Sequence, residues 1–225
     1  MNNWDFRCIE CHQRLRIARH GICSRCFNRL EITPYCGCCG ALLVDNHHHC
    51  GECLKNEPKW HRMVLASRYS MPMTKWIHQF KFQGQYWLDR PLARLLLLAI
   101  KNAQREHGLI LPEVILPVPL YWLRYWKRGF NQAELLAIYL AKWLNIPIDT
   151  QSLKRVRNTC SQRELTAVQR RHNLKDAFRY QPIFPYQRIA IIDDVVTTGS
   201  TLNAICSELL KQGTKEIQVW TLARA

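Results

Sequence analysis

Four Cys-x-x-Cys pairs fall within the first 62 residues: Cys8/Cys11, Cys23/Cys26, Cys36/Cys39 and Cys50/Cys53. A turn of this spacing brings two thiolates close enough to share one tetrahedral Zn²⁺, and two such turns complete a closed Cys₄ site. Pairing neighbours gives Cys8, Cys11, Cys23 and Cys26 as one site and Cys36, Cys39, Cys50 and Cys53 as the other. Pairing the first turn with the third and the second with the fourth is the interleaved alternative, and spacing leaves both open. The stretch has no long periodic apolar pattern, so it cannot build a core of its own, and bound zinc would supply the missing folding free energy. Disulfides are the competing reading. The first residues, Met1-Asn-Asn-Trp-Asp-Phe-Arg, contain no apolar core of a secretory signal, so the expectation is structural Zn²⁺ at two sites in a reducing cytoplasm. Cys38 and the run His47-His48-His49 are spare donors, the histidines read as a solvated loop. Cys160 and Cys206 stand alone and read as ordinary small apolar residues.

Nine of the 11 cysteines precede residue 62, and the chain changes character there. Residues 1–62 read as a small zinc-ribbon domain and 63–225 as a larger α/β domain, within a chain that is 48% hydrophobic and so able to fill such a core. The net charge of +15 is divided unevenly: 9 basic and 6 acidic residues up to Arg62, 23 basic and 11 acidic beyond it. No apolar run approaches the roughly 20 residues of a membrane helix. The best, Leu95 to Ile100, is flanked by Arg94 and Lys101.

Beyond the boundary, Met63 to Tyr69 reads as a strand, and apolar periodicity predicts helices over Met73 to Phe82 and Leu88 to Arg105. Glu113 to Pro117 follows as a short strand, then a basic aromatic loop and a helix from about Asn131 to Leu144. Weaker signals place a strand at Ser152 to Val156 and a helix from Glu164 to about Asn173. The clearest unit comes last: a buried strand from Arg188, a Thr/Gly loop over Val195 to Ser200, a helix from Thr201 to Gln212 and a strand from Glu216 to Leu222. Strands alternating with helices imply a parallel sheet covered on both faces.

The segment Ile189-Ala-Ile-Ile-Asp193-Asp194-Val195-Val196-Thr197-Thr198-Gly199-Ser200-Thr201 carries the chemistry. A strand running into a tight loop that opens a helix aims backbone N–H groups and the positive helix end at one point, where a phosphate can sit. Thr197, Thr198, Ser200 and Thr201 add hydroxyl donors, and Gly199 permits close backbone approach. The adjacent carboxylates of Asp193 and Asp194 suit sugar hydroxyls or a nearby Mg²⁺ rather than phosphate. Rossmann and Walker A patterns are both absent.

These residues resemble the phosphoribosyl-pyrophosphate (PRPP) signature of type I phosphoribosyltransferases. The wider chain resembles the ComF family, which takes in ComF/ComFC and GntX-like proteins, through the Cys-x-x-Cys pairs, Phe80-Lys81-Phe82-x-Gly84, Pro117-Val-Pro-Leu120, Arg128-Gly-Phe-Asn-Gln132, Thr159-x-x-Gln162-x-x-Leu165 and Arg171-x-Asn173-x-x-x-Ala177-Phe178. The resemblance implies a parallel-sheet, type I phosphoribosyltransferase-like α/β domain preceded by a Cys-rich zinc ribbon. It also implies a part in natural transformation, either in DNA uptake or in handling the incoming strand. Asp193 and Asp194 would then meet the ribose hydroxyls, and Val195 to Thr201 the 5′-phosphate, with Mg²⁺ accompanying PRPP. The partners it implies are PRPP and DNA-processing proteins such as a competence helicase. No residue points to gluconate.

Two basic stretches bear on a polyanionic partner. Tyr121-Trp-Leu-Arg124-Tyr125-Trp126-Lys127-Arg128 interleaves aromatics with cations after a strand's C-terminal end, where open α/β sheets place ligands. Arg124, Lys127 and Arg128 could neutralise a pyrophosphate, and the aromatics could stack on bases of single-stranded DNA at ~1–3 kcal/mol each. Lys154 to Arg179 holds eight Lys/Arg against two Asp/Glu, enough to track a phosphate backbone. No groove-entering motif of a duplex reader is present, so single-stranded or weakly selective DNA binding is expected. A phosphoribosyltransferase acting on a nucleobase-type acceptor and a PRPP-sensing regulator are the alternatives; neither an acceptor pocket nor a general base is legible.

Overall fold

A computed structural model of the protein describes residues 7–157, 174 and 176–225. In chain order its elements are the short helices α1 (Ser24–Phe27) and α2 (Gly51–Lys55), strand β1 (Arg62–Arg68), helices α3 (Met73–Phe82) and α4 (Asp89–Glu106), strand β2 (Val114–Pro117), helices α5 (Trp122–Arg128) and α6 (Gln132–Leu144), strands β3 (Leu153–Arg155), β4 (Phe178–Tyr180) and β5 (Arg188–Val196), helix α7 (Ser200–Lys211) and strand β6 (Glu216–Arg224). The expected helix from Glu164 to Asn173 lies outside the described residues.

Four strands form a wholly parallel sheet in the order β1-β6-β5-β2. Ile189 to Ile192 are fully buried, as a central strand covered on both faces requires of its continuous apolar run. A single bridge, Ile115 to Ile148, carries the sheet one step past β2. Helices α4 and α6 pack on each other, α4 over β1 and β6, α6 over β2 and β5. The β5–α7–β6 crossover moves along the sheet in the opposite sense to the β1-to-β2 connection, so its right hand places α7 on the other face. There Leu202, Ile205, Cys206 and Leu209 are buried.

Three expectations are corrected. The basic aromatic loop is in fact α5, a two-turn helix closed by Gly129 in the left-handed conformation (φ 79°), whose N–H caps the Tyr125 carbonyl. Seven residues without Pro or Gly are free to coil, and the glycine supplies the stop. The strand at Ser152 to Val156 shortens to β3, which pairs antiparallel with β4 in a separate two-stranded sheet. Finally, β5 continues to Val196 because β6 runs on beside it to Arg224. The turn proper is therefore Thr197 to Gly199.

The Cys-rich segment packs against this body in two places. Cys8, Ile9, Leu15, Ile22, Cys26 and Leu30 join the main hydrophobic core. Glu10 Oε2 accepts from Trp76 Nε1 at 2.9 Å and Lys75 Nζ at 3.2 Å, fastening this first part to α3. The second part lies along the outer side of β1 and the end of β6: Met63 N donates to the Gly37 carbonyl at 2.7 Å, and Arg224 Nη1 to that of Cys39.

Candidate phosphate and sugar site between α3, α6 and the β5–α7 loop

A cleft of about 1040 Å³ opens at the C-terminal ends of β2 and β5. One wall is α3, which contributes His78, Lys81 and Phe82 at i, i+3 and i+4, a spacing that puts all three on one helical face. The opposite wall is Asp193, Asp194, Val195, Thr197 and Thr201, and the far end is Val118 to Leu120 with Arg128 and Phe130 to Ala133. Open α/β sheets bind ligands at this end because the strand-to-helix loops converge there.

The turn from β5 into α7 is shaped by Gly199 at φ 71°, a conformation that favours glycine. The hydroxyls of Thr198 and Ser200 lie 2.9 Å apart, and α7 begins at Ser200. Thr197 and Thr198 are exposed, whereas Val196 is buried and belongs to the strand. The N-terminal end of a three-turn helix and a row of hydroxyls thus face one hollow, an arrangement suited to a dianionic phosphate.

Asp194 is buried, and its Oδ1 is paired at 2.8 Å with Lys81 Nζ, both side chains less than one-fifth exposed. Asp193 Oδ1 accepts from the Asp194 backbone N–H at 2.9 Å. Burial, with the neighbouring Asp194 charge added, pushes the Asp193 carboxyl up to about 7 against the opposing pull of Lys81. Lys81 balances only one of the two carboxyls, so the pair gains from any ligand that supplies hydroxyl donors or a cation. Hard carboxylate oxygens beside this hollow fit Mg²⁺ in its usual partly hydrated form.

At the far end, Asn131 caps α6 by accepting from Ala133 N at 3.1 Å and donates to the Val118 carbonyl at 3.0 Å, tying helix to strand exit. Arg128 lies over the Phe82 ring at 5.1 Å and donates to Gln132 Oε1 at 3.1 Å, which turns it toward the cleft. Buried Gln132 Nε2 has no partner among the described residues. Arg124 and Lys127 fall on α5, but their side chains lie outside the description. Trp122, Tyr125 and above all Trp126, 82% exposed, stand in solvent on the same helix.

The two sulfur clusters form by neighbours rather than by interleaving: Cys8, Cys11, Cys23 and Cys26 gather in one, Cys36, Cys39, Cys50 and Cys53 in the other, each with its Sγ atoms within 4.8 Å of one another. The Cys11–Cys23, Cys36–Cys53 and Cys39–Cys50 sulfurs are 3.7, 3.8 and 3.6 Å apart, close to the roughly 3.8 Å edge that a tetrahedron with Zn–S of about 2.3 Å requires. Burial and the neighbouring thiols push Cys26 and Cys53 up, whereas backbone N–H groups overcome burial at Cys8 and pull it down to about 7. Without a cation each cluster thus favours neutral thiols at its buried positions, and a bound cation would stabilise the thiolate form of all four. Cys38 belongs to neither cluster, and Cys206 is buried in the core. Cys160 lies outside the described residues. His47, His48 and His49 are exposed, with His48 against Arg62.

Sequence reading passed over Lys81, although it stands inside Phe80-Lys81-Phe82-x-Gly84. It also passed over His78 and Arg155 as cleft residues. The motif spacing was the available signal for the lysine, but its partner lies 113 residues away.

Parallel sheet, C-terminal cleft and a strand–turn–helix hollow define a phosphoribosyltransferase-like domain, and residues 127–225 match the family described as "Phosphoribosyl transferase domain". Full-length comparison is more specific. The chain is 53% identical to "Competence protein F" of Haemophilus influenzae, covering 100% of both, and 41% identical to "DNA utilization protein YhgH" of Escherichia coli K12, covering 96% of both. "Competence protein ComFC" of Streptococcus pneumoniae is 23% identical over 90% of this chain and 87% of that one. The chain belongs to the competence protein F family. Among solved structures, a purine phosphoribosyltransferase from Pyrococcus horikoshii is similar at 23% identity and TM-score 0.33, covering 60% of this chain and 72% of that one, a likeness too loose to bear on the site.

Proposed function

We propose that the protein acts in natural transformation, handling incoming single-stranded DNA in the cytoplasm, with PRPP as the ligand of its cleft. Full-length identity of 53% to "Competence protein F" carries the pathway. The ligand rests on the β5–α7 turn and its two carboxylates. In this reading the Thr197–Thr201 backbone and hydroxyls bind the 5′-phosphate, Asp193 and Asp194 accept from the ribose hydroxyls, and Arg128, with Arg124 and Lys127 on the same helix, neutralises the pyrophosphate. Mg²⁺, held beside Asp193, would add charge neutralisation of the pyrophosphate. Two Zn²⁺ ions in the Cys₄ clusters fix the knuckles. No helix among the described residues is long and apolar enough to cross a membrane.

The exposed aromatics of α5 support the DNA reading. Trp122, Tyr125 and Trp126 offer faces on which bases stack without sequence preference, next to cations that track the backbone. A DNA-processing helicase is the protein partner such a role calls for. The division into residues 1–62 and 63–225 is part of the same proposal, with the first segment as scaffold.

The test pairs a cell assay with titration. A strain carrying Asp193→Ala/Asp194→Ala should lose transformation and its purified protein should lose PRPP binding in Mg²⁺, while single-stranded DNA still binds with a steep salt dependence. A deletion strain that takes up and integrates DNA normally would sink the pathway reading. A second reading, transfer of the ribosyl group to a nucleobase-type acceptor, is favoured by the size of the cleft, which exceeds what a single sugar phosphate fills. Pyrophosphate release from PRPP with a base present decides between them.

A further inference from the structure

The fifth sulfur of the second knuckle has no place in a Cys₄ site, and it leads to the phosphate loop. Cys38, buried between Cys36 and Cys39, is bound reciprocally to Trp60: its carbonyl accepts from Trp60 Nε1 at 2.7 Å, and its Sγ lies 3.8 Å from the Trp60 carbonyl oxygen. The Trp60 ring, only 4% exposed, ends against Gly199, where a Cβ would come within 2.7 Å of Cη2. Gly199 is therefore required twice, by its left-handed backbone and by the indole that abuts it.

The neighbours of Trp60 fasten the same region. Lys59 N donates to Asn203 Oδ1 at 2.9 Å and Lys59 Nζ to Ser207 Oγ at 2.8 Å, both on α7. His61 N donates to the Ile217 carbonyl at 2.8 Å, and Ile217 N to His61 Nδ1 at 3.0 Å, on β6. Residues 59–61 thus join α7, from Asn203 to Ser207, to the beginning of β6. A second tie runs from the Cys39 carbonyl to Arg224, which stands opposite Val196, the last strand residue before the turn.

We propose that Trp60 is a positioning residue for the Thr197–Gly199 turn, held in place by Cys38 of the second knuckle, so that this knuckle serves the phosphate hollow rather than a separate surface. The inference rests on the proposed reading of that hollow as a phosphate site. Its physical content is that a turn with one left-handed residue and exposed hydroxyls has few contacts of its own to fix it, and a rigid indole supplies the missing wall. Displacing reacting or binding groups by about 1 Å is costly.

The experiment compares the full-length chain with Trp60→Ala and Trp60→Phe, each first assayed for two metal ions per chain. Hydrogen exchange is followed across residues 195–203 and, as reference, across β2 and α4. The expected result is that Trp60→Ala speeds exchange in the turn about tenfold and leaves the reference segments unchanged. Trp60→Phe, which keeps a ring against Gly199, should recover most of the protection. PRPP affinity in Mg²⁺ should fall about tenfold in Trp60→Ala, with single-stranded DNA affinity unaltered. A metal-replete Trp60→Ala protein whose turn exchanges like the parent, or one destabilised evenly throughout, overturns the proposal. If the parent chain does not bind PRPP, the reading of the hollow fails, and the exchange data still decide whether Trp60 positions the turn.

Discussion

The two sulfur knuckles share a ligand set and differ in what they brace. The first, with Cys11 exposed, feeds its apolar residues into the main core and grips α3 through Glu10; α3 in turn presents Lys81 to Asp194. The second contributes little to the core and lies against β1, the end of β6 and, through Trp60, the turn into α7. Each knuckle thus stands behind one side of the site at one remove, the first through α3 and the second through Trp60. The difference teaches that repeated Cys-x-x-Cys motifs in one chain need not do equivalent work, since what a knuckle stiffens depends on what it is packed against.

Breaking the second knuckle should have the largest effect. Cys53→Ser removes a buried ligand, so metal content should drop from two ions to one and the thermal transition should fall sharply, because structural zinc sites supply about 10 kcal/mol or more of apparent binding free energy. Cys11→Ser, at an exposed ligand of the first knuckle, should also cost an ion by elemental analysis but leave exchange in the Thr197–Gly199 turn near its parent rate. Equal effects on the turn would mean that both knuckles brace the same element.

Next in size is Lys81→Ala on the first wall. It strands the Asp194 carboxylate in a buried site, and removing one partner of such a pair costs about 3 kcal/mol. Chemical denaturation at pH 8 should register the loss. A pH series separates the two walls further. The Asp193 carboxyl, raised to about 7 first by burial and then by Asp194, keeps a proton in the fold that the unfolded chain has released above pH 4. Stability attributable to this group is therefore fully present below pH 4 and is lost as pH climbs through 7. Asp193→Asn should match the parent near pH 4 and exceed it by about 1 to 2 kcal/mol at pH 8. A parent-like pH profile in Asp193→Asn would contradict the assignment.

The smallest effect on stability belongs to α5, which lies outside both braces. Trp126→Ala, at a side chain 82% exposed, should shift unfolding by no more than about 0.5 kcal/mol. The same change should weaken single-stranded DNA binding by about 1 to 3 kcal/mol at fixed salt.

Local pattern carried much of this architecture. Met73 to Phe82 is helical as its periodicity predicts, and β5 is the buried strand that Ile189 to Ile192 demand, whereas the choice of neighbouring over interleaved Cys-x-x-Cys pairs was settled only by the packing of the two knuckles. Local pattern failed where two tendencies compete. Trp122, Tyr125 and Trp126 recur at i, i+3 and i+4 but over only seven residues, too short a run to decide between loop and helix, so the helix is set by Gly129 and by packing of Arg128 on Phe82. The isolated pairing of β3 with β4 joins residues on either side of a basic stretch whose composition says nothing about partners.

What the sequence alone determined is the set of chemical groups: eight cysteines in four Cys-x-x-Cys turns, a Thr/Gly turn preceded by two carboxylates, and aromatics mixed with cations. Those follow from residue type and spacing over fewer than twenty residues, the range within which backbone geometry dictates proximity. Only the tertiary structure decided which groups meet across the chain: Lys81 with Asp194, Glu10 with Trp76, Trp60 with Gly199. Such pairs are fixed by how sheet, helices and knuckles pack, and packing is a property of the whole core rather than of any window of sequence.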